Sequence, residues 1–157
     1  MESKRIDTAS KFIKASPSKI YDAFTKPDAI ETWLPPEGMT GHMLTFDFRV
    51  GGMYRMRLSY RGQEHMPGKT SKDSDEVEVR FLKLIRDKRI EQSVSFNTES
   101  TEFLGEMSIT WVFENSEQGT NVTVRCEGVP EGIRPEDHEK GLKSTLENLA
   151  RFAEANQ

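Results

Sequence analysis

The chain has 157 residues, the length of a single compact domain, so residues 1–157 are interpreted as one domain. Its residues are 34% hydrophobic and 31% charged, against about 25% charged in an average globular protein. The formal net charge of −4 excludes nucleic acid and anionic membranes as expected partners, because both attract positively charged surfaces.

Cysteine content and the amino terminus favour a cytoplasmic protein. Cys126 is the single cysteine, so no internal disulfide can form, and the first residues contain no apolar run of the kind found in secretion signals. The longest apolar stretches also fall far short of the ~20 residues of a membrane-spanning helix. We therefore expect a soluble chain that is a monomer or a weak dimer.

The amino-terminal part of the chain predicts one strand and two short helices. Residues 6–14 have a β-leaning composition. Ser16 and Pro17 are typical of a helix start, because serine can accept an unpaired N–H and proline loses nothing at the first helical position. Pro27 interrupts this helix, and Asp28 is predicted to cap a second one.

Alternating apolar and polar residues then predict two strands that form a hairpin. The alternation begins at Met43, and Gly51 and Gly52 are interpreted as a tight hairpin turn. The segment 62–75 has no apolar periodicity and is rich in turn residues, so it is predicted to be a long connection.

The rest of the chain predicts four more strands and one long helix. The alternation changes parity at Phe81 and Leu82, which indicates either a bulge or a strand partly covered on both faces, and Asp87 and Lys88 mark a turn. From Glu136 onward the apolar residues recur at helical spacing. The histidine and acidic residues at 137–139 are interpreted as the first turn of this helix.

This order of elements predicts an α+β fold. A strand, two short helices, six strands and a long helix most simply give a curved antiparallel sheet of six or seven strands wrapped around the last helix. Concave apolar spaces of this kind are the usual ligand sites. The residues expected to line the space are Trp33, Met39, Phe46, Tyr54, Met56, Leu58, Met66, Phe96, Trp111 and Leu146. Taken one by one, most of these residues are better explained by a plain hydrophobic core, and the case for a ligand site rests on the set as a whole.

The polar face of one predicted strand is positively charged. Arg55, Arg57 and Arg61 alternate with apolar residues and form a stripe that could bind an acidic protein partner. The solvated face of a half-buried strand commonly has the same appearance.

The sequence predicts no catalytic residue, metal site or cofactor. His42, His65 and His138 lack the spacing of metal ligands, and no serine stands in a Gly-x-Ser-x-Gly turn. Cys126 lies at the end of an apolar strand and is interpreted as a small buried side chain.

The sequence nevertheless resembles the START-like superfamily over nearly its whole length. Within it, the chain is most similar to stand-alone bacterial domains related to the carboxy-terminal domain of the activator of the ninety-kilodalton heat-shock chaperone's ATPase. The first half of the resemblance is carried by Pro17, Ile20, Tyr21, Ala23, Phe24, Thr25, Trp33, Phe46, Asp47, Arg49, Gly51, Gly52 and Tyr54. The second half is carried by Gly119, Thr120, Val122, Val124, Gly128, His138, Gly141, Leu142, Leu146 and Leu149.

The resemblance implies the helix-grip fold and a hydrophobic cavity between sheet and helix. Family members usually have tryptophan directly after the glycine of the last helix, whereas Leu142 follows Gly141 here. Leu142 is accordingly added to the expected lining, in a less aromatic helix wall. Members that activate the chaperone carry a further amino-terminal domain, so activation of a chaperone ATPase is not expected of this chain.

Three functions follow as hypotheses. The first is non-enzymatic binding of a small hydrophobic or amphipathic molecule in the cavity. The second is a co-chaperone-like interaction in which the three arginines contact an acidic chaperone surface. The third is a cyclase- or hydrolase-type enzyme, for which Tyr54, Glu64 and His65 are the available side chains.

Overall fold

Seven strands and three helices make up the part of the chain that the structure describes. A computed structural model describes residues 5–36, 38–60, 74–96, 106–130 and 132–155. The elements are, in order, β1 (Ile6–Ile13), α1 (Pro17–Asp22), α2 (Pro27–Trp33), β2 (Met39–Phe46), β3 (Met53–Tyr60), β4 (Ser74–Ile85), β5 (Arg89–Phe96), β6 (Glu106–Ser116), β7 (Gly119–Glu127) and α3 (Pro135–Ala155). The predicted order of elements is confirmed.

The strands form one antiparallel sheet that wraps around α3. Their order is β1-β7-β6-β5-β4-β3-β2, so β1 pairs with the last strand and β2 lies at the opposite edge. The long helix α3 lies closest to β1 and also contacts α2 and α1. This is the predicted helix-grip arrangement. No helix in the described ranges is long and apolar enough to span a membrane.

The two short helices begin at proline residues. Ser16 caps α1 as predicted, since its hydroxyl accepts a backbone N–H at 3.2 Å. The predicted start of α2 is wrong by two residues: Lys26 is the N-cap and Pro27 the first helical residue. Proline fits this position because its ring fixes φ and the N–H it lacks would have no helical partner. Asp28 instead lies in the first turn, where its charge favours the helix dipole.

The tight turn predicted at Gly51 and Gly52 is wrong. Strand β2 begins earlier than predicted, at Met39, and ends at Phe46, so the six residues 47–52 connect it to β3. A turn inside this connection is closed by a 2.8 Å hydrogen bond from the Gly52 N–H to the Arg49 carbonyl. Gly51 has φ +86°, a conformation that favours glycine. The glycines therefore form a turn, within a longer loop.

The predicted bulge and turn of the β4–β5 hairpin are confirmed. The pairing of β4 with β5 shifts register between Phe81 and Lys83, which leaves Leu82 48% exposed. The turn is closed by a 3.0 Å hydrogen bond from the Lys88 N–H to the Ile85 carbonyl, with Asp87 at φ 62°. Bulges increase strand curvature, so this one helps the sheet to bend around α3.

A charged cluster attaches the start of α3 to β1. Arg5 donates from Nε to Asp7 Oδ1 at 3.2 Å and from a terminal nitrogen to Oδ2 at 2.8 Å. His138 Nδ1 lies 2.6 Å from the same Oδ2, and Arg5 also donates to the Ile133 carbonyl. The hydrogen bonds from Arg5 lower the pKa of the Asp7 carboxyl. His138, interpreted only as part of the first helical turn, thus also pairs with the first strand.

Candidate functional site

A cluster of aromatic rings fills one part of the interior between the sheet and the helices. Phe24 lies at its centre, with its ring centroid 4.7 Å from that of Trp33, 5.0 Å from Trp111 and 5.6 Å from Phe113. The two tryptophan rings are 5.8 Å apart. At these distances the rings are in contact, so this part of the interior is occupied by side chains.

Hydrogen bonds fix the orientation of both tryptophans. Trp33 Nε1 donates to the Ala23 carbonyl at 2.8 Å. Trp111 Nε1 donates to Gln92 Oε1 at 3.2 Å, and Gln92 is only 5% exposed. Because an unpaired buried N–H is costly, these bonds limit how far the indole rings can move.

A second group of rings lies on the inner face of β2, β3 and β4. The Tyr54 ring centroid is 6.0 Å from that of Phe46 and 5.8 Å from that of Phe81. Burial raises the pKa of the Tyr54 hydroxyl far above its ordinary range, so this group keeps its proton and is unsuited to act as a base.

A cleft lies at the surface between α3 and the sheet edge. It has a volume of about 510 Å³ and opens between α2, the start of β2 and the polar side of α3. We call it the α2–α3 cleft, and its lining residues are Glu31, Thr32, Pro35, Pro36, Gly38, Met39, Thr40, Gly41, Ser144, Glu147, Asn148 and Arg151.

The floor of the α2–α3 cleft is thin. A Cβ atom on Gly41 would lie 2.9 Å from Cγ of Pro35 and 3.1 Å from the sulfur of Met56. Gly41 and Pro35 line the cleft, whereas Met56 is fully buried. These two residues therefore separate the cleft from the interior at this point, and the absence of a side chain at Gly41 permits the close approach.

Side chains of α3 hold this floor in place. Asn148 Nδ2 donates to the Pro35 carbonyl at 2.9 Å, and the Thr145 hydroxyl donates to the Leu34 carbonyl at 3.1 Å. Arg151 donates to Asn148 Oδ1 and supplies the positive charge of the α3 wall. On the opposite wall, the carboxylate of Glu31 on α2 accepts a hydrogen bond from the Met43 N–H of β2 at 2.6 Å.

A second depression lies elsewhere on the surface. It has a volume of about 630 Å³ and is lined by residues 16–18, by the β4–β5 turn and by part of β6. None of the predicted lining residues borders it. The α2–α3 cleft, by contrast, includes Met39.

The predicted lining residues fall into three groups. Five are at most 3% exposed: Trp33, Tyr54, Met56, Trp111 and Leu146. Four are partly exposed: Met39, Phe46, Leu58 and Leu142. Met66 and the side chain of Phe96 lie outside the described residues.

The predicted arginine stripe lies on the outer face of the sheet. Arg55 and Arg57 are exposed, whereas Tyr54 and Met56, which alternate with them along β3, point inward. Arg55 forms an ion pair with Glu76 on the neighbouring strand, so part of its charge is compensated. Arg61, like Glu64 and His65, lies outside the described residues.

Sequence reasoning did not find the polar wall of the cleft. Ser144, Glu147, Asn148 and Arg151 recur at helical spacing beside the apolar stripe of α3. This spacing was the available signal, because it places the four side chains on one face. Nothing in the spacing indicates that α2 lies opposite that face.

Cys126 is buried, as its position at the end of an apolar strand predicted. It is fully buried, and burial raises the pKa of its thiol to about 12. The thiol is therefore protonated at neutral pH and unsuited to act as a nucleophile.

A family model described as Activator of Hsp90 ATPase homolog 1-like protein matches residues 14–154. The chain belongs to this family. The match covers α1 and α2, all strands from β2 to β7 and nearly all of α3. No curated protein matches the chain significantly.

Solved structures share the fold of this AHSA1-like domain. A crystal structure of a protein from Chromobacterium violaceum is 29% identical, with a TM-score of 0.84 over 95% of this chain and 96% of that one. A solution structure from Staphylococcus epidermidis is 21% identical, with a TM-score of 0.75 over 100% and 94% of the two chains. An AHSA1-like protein from Aeromonas hydrophila is 16% identical, with a TM-score of 0.73 over 97% and 94%. The latter two show the fold alone.

Proposed function

We propose that this AHSA1-like domain binds a small amphipathic molecule at the α2–α3 cleft, with the apolar part of the molecule directed between the sheet and α3. The observation that carries the proposal is the thin floor formed by Gly41 and Pro35 above the buried Met56. The volume of about 510 Å³ also lies within the range of roughly 300–1,000 Å³ found for small-molecule sites.

Entry of an apolar tail requires side chains to move, because the rings behind the floor already touch. Met56 is the side chain best suited to move, since its unbranched thioether adopts many rotamers. Burying ~200 Å² of apolar ligand surface would contribute about 5 kcal/mol before the costs of association, which favours binding in the micromolar range at best. The lining contains the carboxylates of Glu31 and Glu147 beside the guanidinium of Arg151, so an anionic head group would have to bind directly at Arg151 through a charged hydrogen bond.

Tryptophan fluorescence can test the proposal. The chain has two tryptophans, and both lie in the ring cluster behind the cleft floor. We expect titration with dodecanoate to change their emission saturably. Arg151→Glu is expected to weaken dodecanoate binding by at least about tenfold, because a charged hydrogen bond is worth roughly 1.5–3 kcal/mol, and to leave binding of neutral dodecanol nearly unchanged.

Arg125→Glu serves as the matched control. Arg125 lies on β7, outside the cleft lining, and its side chain is 51% exposed. This variant should bind dodecanoate like the wild type. The proposal is contradicted if neither probe changes the emission and if organic extraction of the protein purified from cells releases no small molecule.

Docking to a chaperone is the second candidate function. The family description names an activator of the Hsp90 ATPase, and Arg57 is exposed on the outer face of the sheet. We expect salt to weaken any complex with purified Hsp90, and Arg57→Glu to weaken it more than Arg125→Glu does. Equal effects of the two variants in a pull-down would argue against a contact through the predicted stripe.

A further inference from the structure

The first strand has a self-complementary sequence. Around Ala9, the residues on either side match in chemical type: Thr8 and Ser10 are hydroxylic, Asp7 and Lys11 have opposite charges, and Ile6 and Phe12 are large and apolar. An antiparallel pair of identical strands centred on Ala9 would therefore place complementary side chains opposite each other at each position.

The free edge of β1 presents backbone groups that can make such a pair. The Gly128 N–H donates to the Arg5 carbonyl at 3.0 Å, so the odd-numbered residues of β1 face β7 in the hydrogen-bonding direction. The N–H of Lys14 points the other way and is accepted by Glu154 at 3.0 Å. The backbone N–H and C=O groups of the even-numbered residues 6–12 are therefore directed at the open edge.

This edge has no proline and no bulge to prevent strands of two molecules from pairing. Natural edge strands are commonly protected by proline, by a bulge, by charged side chains or by a covering helix. The two charges of β1, Asp7 and Lys11, lie on its inner face, where α3 contacts it through His138, so a partner strand must match them. The pairing of β1 with β7 contains no register shift, and the side chains on its outer face are uncharged. Two of them are large and apolar: Ile6 is 48% exposed and Phe12 is 41% exposed.

We propose that β1 pairs with β1 of a second copy of this chain, antiparallel about a two-fold axis at Ala9, so that the two sheets become continuous. In this register Ile6 lies opposite the partner's Phe12, and Asp7 lies opposite the partner's Lys11. Each even-numbered pair exchanges two hydrogen bonds across the axis. The contact is isologous, as in most homodimers.

Charge selects this register over its neighbours. If the axis passed through Thr8, Arg5 would lie opposite the partner's Lys11, which is a repulsive pair. If it passed through Ser10, Asp7 would lie opposite the partner's Ile13 and lose its cationic partner across the axis. The three registers differ in which residue meets its own copy, and this difference can be measured.

A cysteine scan measures the register directly. We expect Ala9→Cys to form a disulfide-linked dimer under mild oxidation at least about tenfold faster than Thr8→Cys or Ser10→Cys. In the proposed register the two copies of residue 9 are directly opposite in a non-hydrogen-bonded pair with Cα atoms about 4.5 Å apart, within disulfide reach. The two copies of residue 8 or of residue 10 are diagonal neighbours about 7–8 Å apart. The native Cys126 is fully buried and does not compete.

Sedimentation velocity over a range of concentrations tests the dimer itself. Ser10→Pro removes an N–H that faces only the open edge, so it should raise the dissociation constant of the dimer at least about tenfold, whereas Ser10→Ala should leave it near the wild-type value. Lys11→Glu keeps the backbone intact and should also weaken the dimer. A wild-type chain that stays monomeric at every concentration, or crosslinking that is fastest at position 8 or 10, overturns the proposal.

Discussion

Replacing Phe24 with alanine is expected to lower the free energy of unfolding by about 3–5 kcal/mol. Phe24 is 2% exposed, and its ring touches the rings of Trp33, Trp111 and Phe113. The loss is expected at the upper part of the range because both tryptophans are held by hydrogen bonds and cannot easily close the cavity.

Urea unfolding followed by circular dichroism measures this loss, with Phe12→Ala as the matched control. The control removes the same atoms from a side chain that is 41% exposed, so a loss below about 1 kcal/mol is expected when the protein is dilute. Similar losses for the two variants would show that Phe24 is not packed as described.

Replacing Gly119 with alanine is expected to cost about 2–3 kcal/mol. A Cβ atom at this position would lie 2.2 Å from the Ile13 carbonyl oxygen and 2.9 Å from the end of the Phe12 ring. The first of these neighbours is backbone, so a rotamer change cannot relieve the clash. The end of β1 must instead move away from the start of β7, where Ile13 pairs with Thr120.

The matched control for this substitution is Gly141→Ala. Gly141 lies inside α3, and a Cβ atom there would have no neighbour within 4 Å. Alanine is favoured over glycine in helices by about 0.5–1 kcal/mol, so this variant should be more stable than the wild type. The two glycine variants thus have opposite expected signs in thermal or urea unfolding, and the same sign for both would contradict the packing at Gly119.

The periodicity of apolar residues predicted the fold because most strands and helices bury only one of their faces. The strands alternate with period two, and α3 repeats its apolar residues at helical spacing, so each buries one face. The parity change at Phe81 and Leu82 marked the position of the bulge, although it also fitted a strand covered on both faces. The resemblance to the START-like superfamily independently indicated the same arrangement.

The turns and helix starts were harder to predict because more than one local structure fits their residues. Gly51 and Gly52 suit a two-residue hairpin as well as the six-residue connection that forms. Asp28 suits an N-cap as well as the first turn it occupies. The contact between His138 and Asp7 depends on residues 131 positions apart, for which no local signal exists.

The candidate site was predicted only in part because burial and ligand contact require the same residue types. Trp33, Met56 and Leu146 were expected to line a space, and their inward orientation followed from periodicity. The distance between opposing walls depends on side-chain packing from several elements, which a sequence pattern does not contain. The polar half of the cleft was missed because its two walls, α2 and α3, are far apart in sequence.

The pairing of β1 with the far end of the chain has a consequence for synthesis on the ribosome. Asp7 contacts His138, and Lys14 donates to Glu154, 140 positions later. The first strand is thus without β7 and α3, its native neighbours, until both have been made. Such delayed, non-local closure is slow and leaves strand edges open to aggregation. The nascent chain is consequently most vulnerable until both β7 and α3 have been synthesised.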